Sequence, residues 1–114
     1  MEKNCRFSYN ELDDSLIISC KEENENVKES FMFDNFIFTL TGRGKVVGLQ
    51  IRNISKVLIE NNVSPEILNE MKGVTLITKQ RENCLLIGLS IISQHAKVNV
   101  PIRVFMQESK AILN

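Results

Sequence analysis

Cys84-Leu85-Leu86-Ile87-Gly88-Leu89-Ser90-Ile91-Ile92-Ser93 and Val98-Asn99-Val100-Pro101-Ile102-Arg103-Val104-Phe105-Met106 decide the fold class. In the first stretch Leu85, Ile87, Leu89 and Ile91 share one face. In the second Val98, Val100, Ile102, Val104 and Met106 do the same. A period of two is the signature of a strand, because successive side chains point to opposite faces of a sheet. The minor faces are less uniform, with Leu86 and Ile92 beside Gly88 and Ser90 in one, and Asn99, Pro101, Arg103 and Phe105 in the other. Pro101 has no N–H to give to a ladder, so the second stretch belongs at a sheet edge or at a bulge.

Upstream, Val74-Thr75-Leu76-Ile77-Thr78 reads as a further strand, and with the two stretches above it makes a three-stranded meander over residues 73–106. A second meander is expected in the first half. Its strands are residues 16–20, residues 31–40 and residues 46–51, with Phe36, Phe38 and Leu40 on one face and Val47, Leu49 and Ile51 on another. Thr41-Gly42-Arg43-Gly44-Lys45 is the tight turn between the last two. Two short helices separate the meanders. Ile54, Val57 and Leu58 give the first an apolar stripe at i, i+3 and i+4, and Asn61-Asn62 stops it. The second is predicted over 64–72, within a helical segment at 61–72, with Ser64 as cap, Pro65 and Glu66 in the first turn and Gly73 as terminator. The expected architecture is therefore one mainly β (α+β) domain over residues 1–114, two antiparallel meanders packed as a small sandwich or a curled sheet, with a tail at 107–114.

Composition bounds the function. The chain of 114 residues is 43% hydrophobic and 25% charged, ordinary values for a globular domain. Its 14 basic and 14 acidic residues cancel, which argues against a nucleic-acid backbone or an anionic membrane surface as partner. No run approaches the ~18 apolar residues of a membrane span, and the first residues lack the apolar segment of a secretory signal. Cys5, Cys20 and Cys84 are odd in number and widely spaced, without a C-x-x-C pair. The expectation is three free thiols, no metal, no cofactor and a cytoplasmic location.

Tyr9-Asn10-Glu11-Leu12-Asp13-Asp14-Ser15-Leu16-Ile17-Ile18 and Gly44-Lys45-Val46-Val47-Gly48-Leu49-Gln50-Ile51-Arg52-Asn53-Ile54-Ser55-Lys56 resemble the domain-of-unknown-function 2283 family of bacteria and archaea. The resemblance covers about residues 7–60. Gln50 stands where the family usually has Glu, and Ile54 where it usually has Ala. The family has no established activity, and the resemblance implies at most a partnership with a small toxin-like protein.

The chemistry-bearing residues are sparse. His95, the only histidine, falls in an expected surface turn. Asp13-Asp14 precedes the first predicted strand and suits a turn in which carboxylates accept backbone N–H bonds. Gly42-Arg43-Gly44-Lys45 lacks the spacing and the following helix of a phosphate loop. Ser55-Lys56 opens the first helix, where Asn53 or Ser55 could cap, or an anion could sit. The leading expectation is a non-enzymatic interaction module, self-associating as a dimer or binding a protein partner, with Leu86, Ile92 and Phe105 at the interface. The alternative is a ligand-binding protein or enzyme using Asp14, Arg43, Gln50 and Ser55 in a pocket between the meanders. A nucleic-acid module using Lys28, Arg43, Lys45, Arg52 and Lys56 is the third reading.

Overall fold

The computed structural model describes residues 3–22, 24–43, 45–80 and 84–105, and the side chains of all of these but 3, 4, 80 and 105. Among the described residues eight strands form a single antiparallel sheet: β1 (Lys3–Asn10), β2 (Ser15–Ser19), β3 (Val27–Phe33), β4 (Phe36–Thr41), β5 (Val46–Arg52), β6 (Met71–Gln80), β7 (Cys84–Ser93) and β8 (Lys97–Phe105). Their order is β3-β4-β5-β2-β1-β6-β7-β8. Helix α1 (Ile54–Glu60) and a 3-10 turn (Pro65–Asn69) lie between β5 and β6.

The mainly β character follows the alternation, and so does the C-terminal meander. Leu76, Leu89 and Val100 stand side by side across β6, β7 and β8, as do Val74, Ile91 and Val98. Pro101 lies on the edge strand β8, opposite Gly88.

Three expectations are corrected. There are not two separate meanders, because β1 joins the halves. Its residues Lys3, Asn4 and Cys5 pair with β6, and Arg6 to Asn10 pair with β2. Buried residues from both halves then form one cluster, including Leu16, Phe38, Leu49, Leu58, Leu76 and Leu89. The sheet thus curls around a single core. Second, the N-terminal meander is β3-β4-β5, and β2 pairs with the other side of β5. The stretch 31–40 is not one strand. It reverses at Asp34-Asn35, where Asp34 takes the left-handed φ of 56° that Asp and Asn tolerate better than most residues. Phe31 then faces Phe38, and their rings stack at 5.0 Å. Third, the second helix is one 3-10 turn. Ser64 caps it through the Glu66 N–H and Pro65 opens it, as expected. It stops short because Met71 already pairs with Ser93, and Gly73 lies inside β6 opposite Ile92. A β ladder supplies hydrogen bonds that another helical turn would have to surrender.

Candidate functional site

Asp14 and Ser55, both expected ligand residues, come together. Asp14 closes the turn between β1 and β2 with φ 55°, and Ser55 lies in the first turn of α1. The Ser55 hydroxyl donates to Asp14 Oδ1 at 2.7 Å, and the Ser55 N–H donates to Oδ2 at 3.1 Å. The Tyr9 hydroxyl donates to Oδ1 at 2.8 Å, and the Ile54 N–H donates to the Asp14 carbonyl at 3.1 Å. Asn53, the residue before α1, has φ 57° and makes no side-chain cap. Asp14 therefore caps α1 from a distant part of the chain, correcting the expectation that Asn53 or Ser55 does so. Its carboxylate occupies the place an anion would take.

Burial pushes the Asp14 carboxyl upward, but the hydrogen bonds from the Ser55 hydroxyl, the Tyr9 hydroxyl and the Ser55 amide outweigh it. The group is held below its ordinary value. Tyr9 moves the other way, raised by burial and by its bond to Asp14 against the smaller opposing effect of Ser55, so it stays a donor. This cluster is a satisfied structural joint.

The other two predicted ligand residues lie elsewhere. Gln50 sits on the outer, core-distal face of β5 between Ile37 and Ile17. Arg43 is in the turn after β4, where its N–H bonds the Thr41 hydroxyl. Beside it is an open polar depression of about 570 Å³ bounded by Glu22, Glu25, Arg43 and Lys45. Both signs of charge meet there, and Lys45 pairs with Glu25 at 2.6 Å. The basic residues of the nucleic-acid reading are split as well. Arg43 and Lys45 precede β5, while Arg52 ends it and Lys56 follows in α1. The seven residues of β5 separate them by about 20 Å at strand rise.

The outer face of the N-terminal half is more informative. Across β3, β4, β5, β2 and β1, Met32, Ile37, Gln50, Ile17 and Ser8 form one row, and Ser30, Thr39, Gly48, Ser19 and Arg6 the next. Met32 is 60% exposed and Ile17 46%. Between them lies a groove of about 200 Å³ lined by Ile17, Val27, Ile37, Val47 and Gly48, with Lys21 and Gln50 also lining it. Gly48 keeps its floor low, since a Cβ there would stand 3.1 Å from Thr39 Cβ. Sequence reasoning missed this surface because it tracked only the core-facing residues of β2 and β4.

The predicted interface residues sit on the outer face of the other half. Leu86 lies between Lys79 and Arg103, and Ile92 between Gly73 and Lys97. Both are half-buried, and Gly88 and Ser90 separate them along β7. They do not make one patch. The side chain of Phe105 lies outside the described residues.

The three-thiol expectation is overturned. Cys5 on β1 and Cys20, just past β2, form a disulfide, with Cα atoms 4.5 Å apart. Cys84 is free and buried. The hairpin register determines the pair: Tyr9 opposes Leu16 and Phe7 opposes Ile18, so Cys5 falls opposite Cys20. Among the described residues no three His, Cys, Asp or Glu side chains gather closely enough to hold a metal ion. No described helix is long and apolar enough to cross a membrane. Comparison of the chain with family models, with curated proteins and with solved structures finds no match.

Proposed function

We propose that this chain is a non-enzymatic interaction module that self-associates through the open edge of β3. The observation that carries the reading is the outer-face row Ile17, Gln50, Ile37 and Met32, apolar but for Gln50 and exposed at Ile17 and Met32, which ends at that edge. An edge strand offers unpaired N–H and C=O groups to another strand, and proteins usually blunt such edges. The opposite edge, β8, is blunted by Pro101. β3 has no proline, and its burial is low along its whole length. Phe33 and Phe36 close the two-residue hairpin, so alternate residues Ser30 and Met32 direct their backbone groups outward.

A second copy is the occupant because the strand is self-complementary. Two β3 strands laid antiparallel about Phe31 set Met32 against Ser30 and Lys28 against Asp34 of the second copy, twice over. The outer-face rows then continue across the seam, the Met32 row of each copy meeting the Ser30 row of the other, as in other strand additions. The resemblance to a family some of whose members look like partners of small toxin-like proteins favours an interaction role in the same way. A ligand-binding reading gains less support, since the groove is smaller than the roughly 300–1,000 Å³ of typical ligand pockets, and the larger depression beside Arg43 is open, mixed in charge and away from Asp14, Gln50 and Ser55. Sedimentation equilibrium at micromolar concentration tests the proposal. The expected mass is that of two chains, reduced to one by Met32→Glu. A wild-type mass of one chain sinks it.

A further inference from the structure

We propose that the Cys5–Cys20 disulfide is a redox-responsive latch that holds the two halves of the sheet together at β1. The inference stands apart from self-association and rests on where the bond lies. β1 is the strand that joins β2 to β6. Its ladder with β6 consists of Lys3, Asn4 and Cys5 against Leu76, Thr75 and Val74, the shortest ladder in the sheet among the described residues. At Arg6 the chain turns its pairing to β2. Cys5 is the last residue of the short ladder, and its sulfur is tied to Cys20. Cys20 is itself anchored, because it is buried and its N–H bonds the Val47 carbonyl at 2.8 Å. The disulfide thus fixes the loose end of β1 to the firm side of the sheet, at the point where β1 changes partner.

Exchange starts at Cys5, the less buried of the two cysteines. Cys5 is half-buried, whereas Cys84 lies buried at the far end of β7 and is not poised to intervene. The co-reactant is a dithiol reductant. One of its thiolates attacks the Cys5 sulfur, the S–S bond breaks, and Cys20 leaves as a thiolate that takes up a proton. The second thiol of the reductant then attacks the mixed disulfide. Cys5 is released as a thiol, and the reductant ends as a disulfide, having supplied two electrons and two protons. The shared hydrophobic core keeps the halves together after reduction, so the change is a local opening of β1 from β6. The two thiols remain on facing positions and can close again.

Hydrogen exchange on the full chain tests this, comparing oxidised protein with protein reduced by dithiothreitol, both carrying Cys84→Ser to remove the third thiol. Exchange is expected to rise on the order of 100-fold at the amides of residues 3–6 and 73–77, the scale of a short disulfide loop, while β3 to β5 and β7 to β8 keep their protection. Cys5→Ser with Cys20→Ser should reproduce the reduced pattern; should that variant not fold, the reduced protein decides alone. A uniform loss of protection over all eight strands overturns the latch, since the bond would then be a general staple. Unchanged exchange, or a disulfide that dithiothreitol cannot reduce in the folded protein, overturns it as well.

Discussion

Ser55 and Asp14 are 41 residues apart in the chain and joined by two hydrogen bonds, one from the Ser55 hydroxyl and one from its backbone N–H. That pair fixes α1 to the β1–β2 turn. It also explains why both residues carry left-handed neighbours or conformations: Asp14 at φ 55° aims its carboxylate at the helix, and Asn53 at φ 57° turns the chain from β5 into it.

Replacing Asp14 by Asn should lower stability at pH 7 by about 1–2 kcal/mol, the scale of a lost cap and a charge-assisted bond. The pH dependence has a definite sign. The folded carboxyl is held below its ordinary value of 3.8. Its contribution is therefore fully present above that value and is lost as pH falls through the lower folded one. Urea unfolding from pH 7 to pH 2 should show a constant gap between wild type and Asp14→Asn down to about pH 5, closing below about pH 4. A gap that widens in acid would contradict this assignment.

Gly48 should resist a methyl group. A Cβ at this position meets Thr39 Cβ at 3.1 Å and Thr39 Oγ1 at 3.3 Å. Gly48→Ala is expected to cost about 1–2 kcal/mol, as overpacking does. Thr39→Ala in the same chain should recover most of that loss, giving a measurable coupling energy in a double-mutant cycle. Additive effects would show that Thr39 is not the obstacle.

The two faces of β2 should respond very differently to truncation. Leu16 is fully buried in the core, while the next residue, Ile17, is 46% exposed on the outer face. Leu16→Ala should cost about 2–5 kcal/mol, and Ile17→Ala no more than about 0.5 kcal/mol in the isolated chain. Thermal unfolding of the two variants reads the phase of the strand directly. Equal losses would mean that the outer face is covered.

What the sequence disclosed depended on how strongly each segment's own pattern spoke. β7 and β8 alternate almost without interruption, so their faces and the edge position of Pro101 were legible. β1 was not read as a strand, because its inward residues, Cys5, Phe7 and Tyr9, alternate within a polar stretch and carry little hydrophobic signal. Missing β1 also hid the disulfide, which is visible only once the hairpin register sets residue 5 against residue 20. The 64–72 helix was read from sound local signals at Ser64 and Pro65, and long-range pairing of β6 with β7 cut it short. In the candidate site the residue types of Asp14 and Ser55 stood out, but their contact depends on tertiary structure. Arg43 and Gln50 had only polarity to recommend them, and they lie on different surfaces.

The proposed dimer carries an electrostatic signature that distinguishes β3 pairing from association elsewhere. Antiparallel pairing about Phe31 places Lys28 of each copy against Asp34 of the other, at both ends of the joined strands. Lys28 is exposed on β3 and Asp34 occupies the hairpin turn. Exposed pairs of this kind contribute about 0.2–1 kcal/mol each, so two per dimer weaken the dissociation constant by roughly two- to thirty-fold when lost. Lys28→Gln removes one partner. Asp34→Asn removes the other while keeping a residue that tolerates the left-handed conformation. Each single change should weaken the dimer, and the double change should weaken it no further than either alone. Raising salt from 0.1 M to 1 M should erase the difference between wild type and variants, because the screening length falls from about 10 Å to about 3 Å. Sedimentation equilibrium of the four proteins at both salt concentrations reads all of this. If a dimer forms but neither variant nor salt shifts it, the interface lies away from β3, and Leu86→Glu on the outer face of β7 becomes the deciding variant.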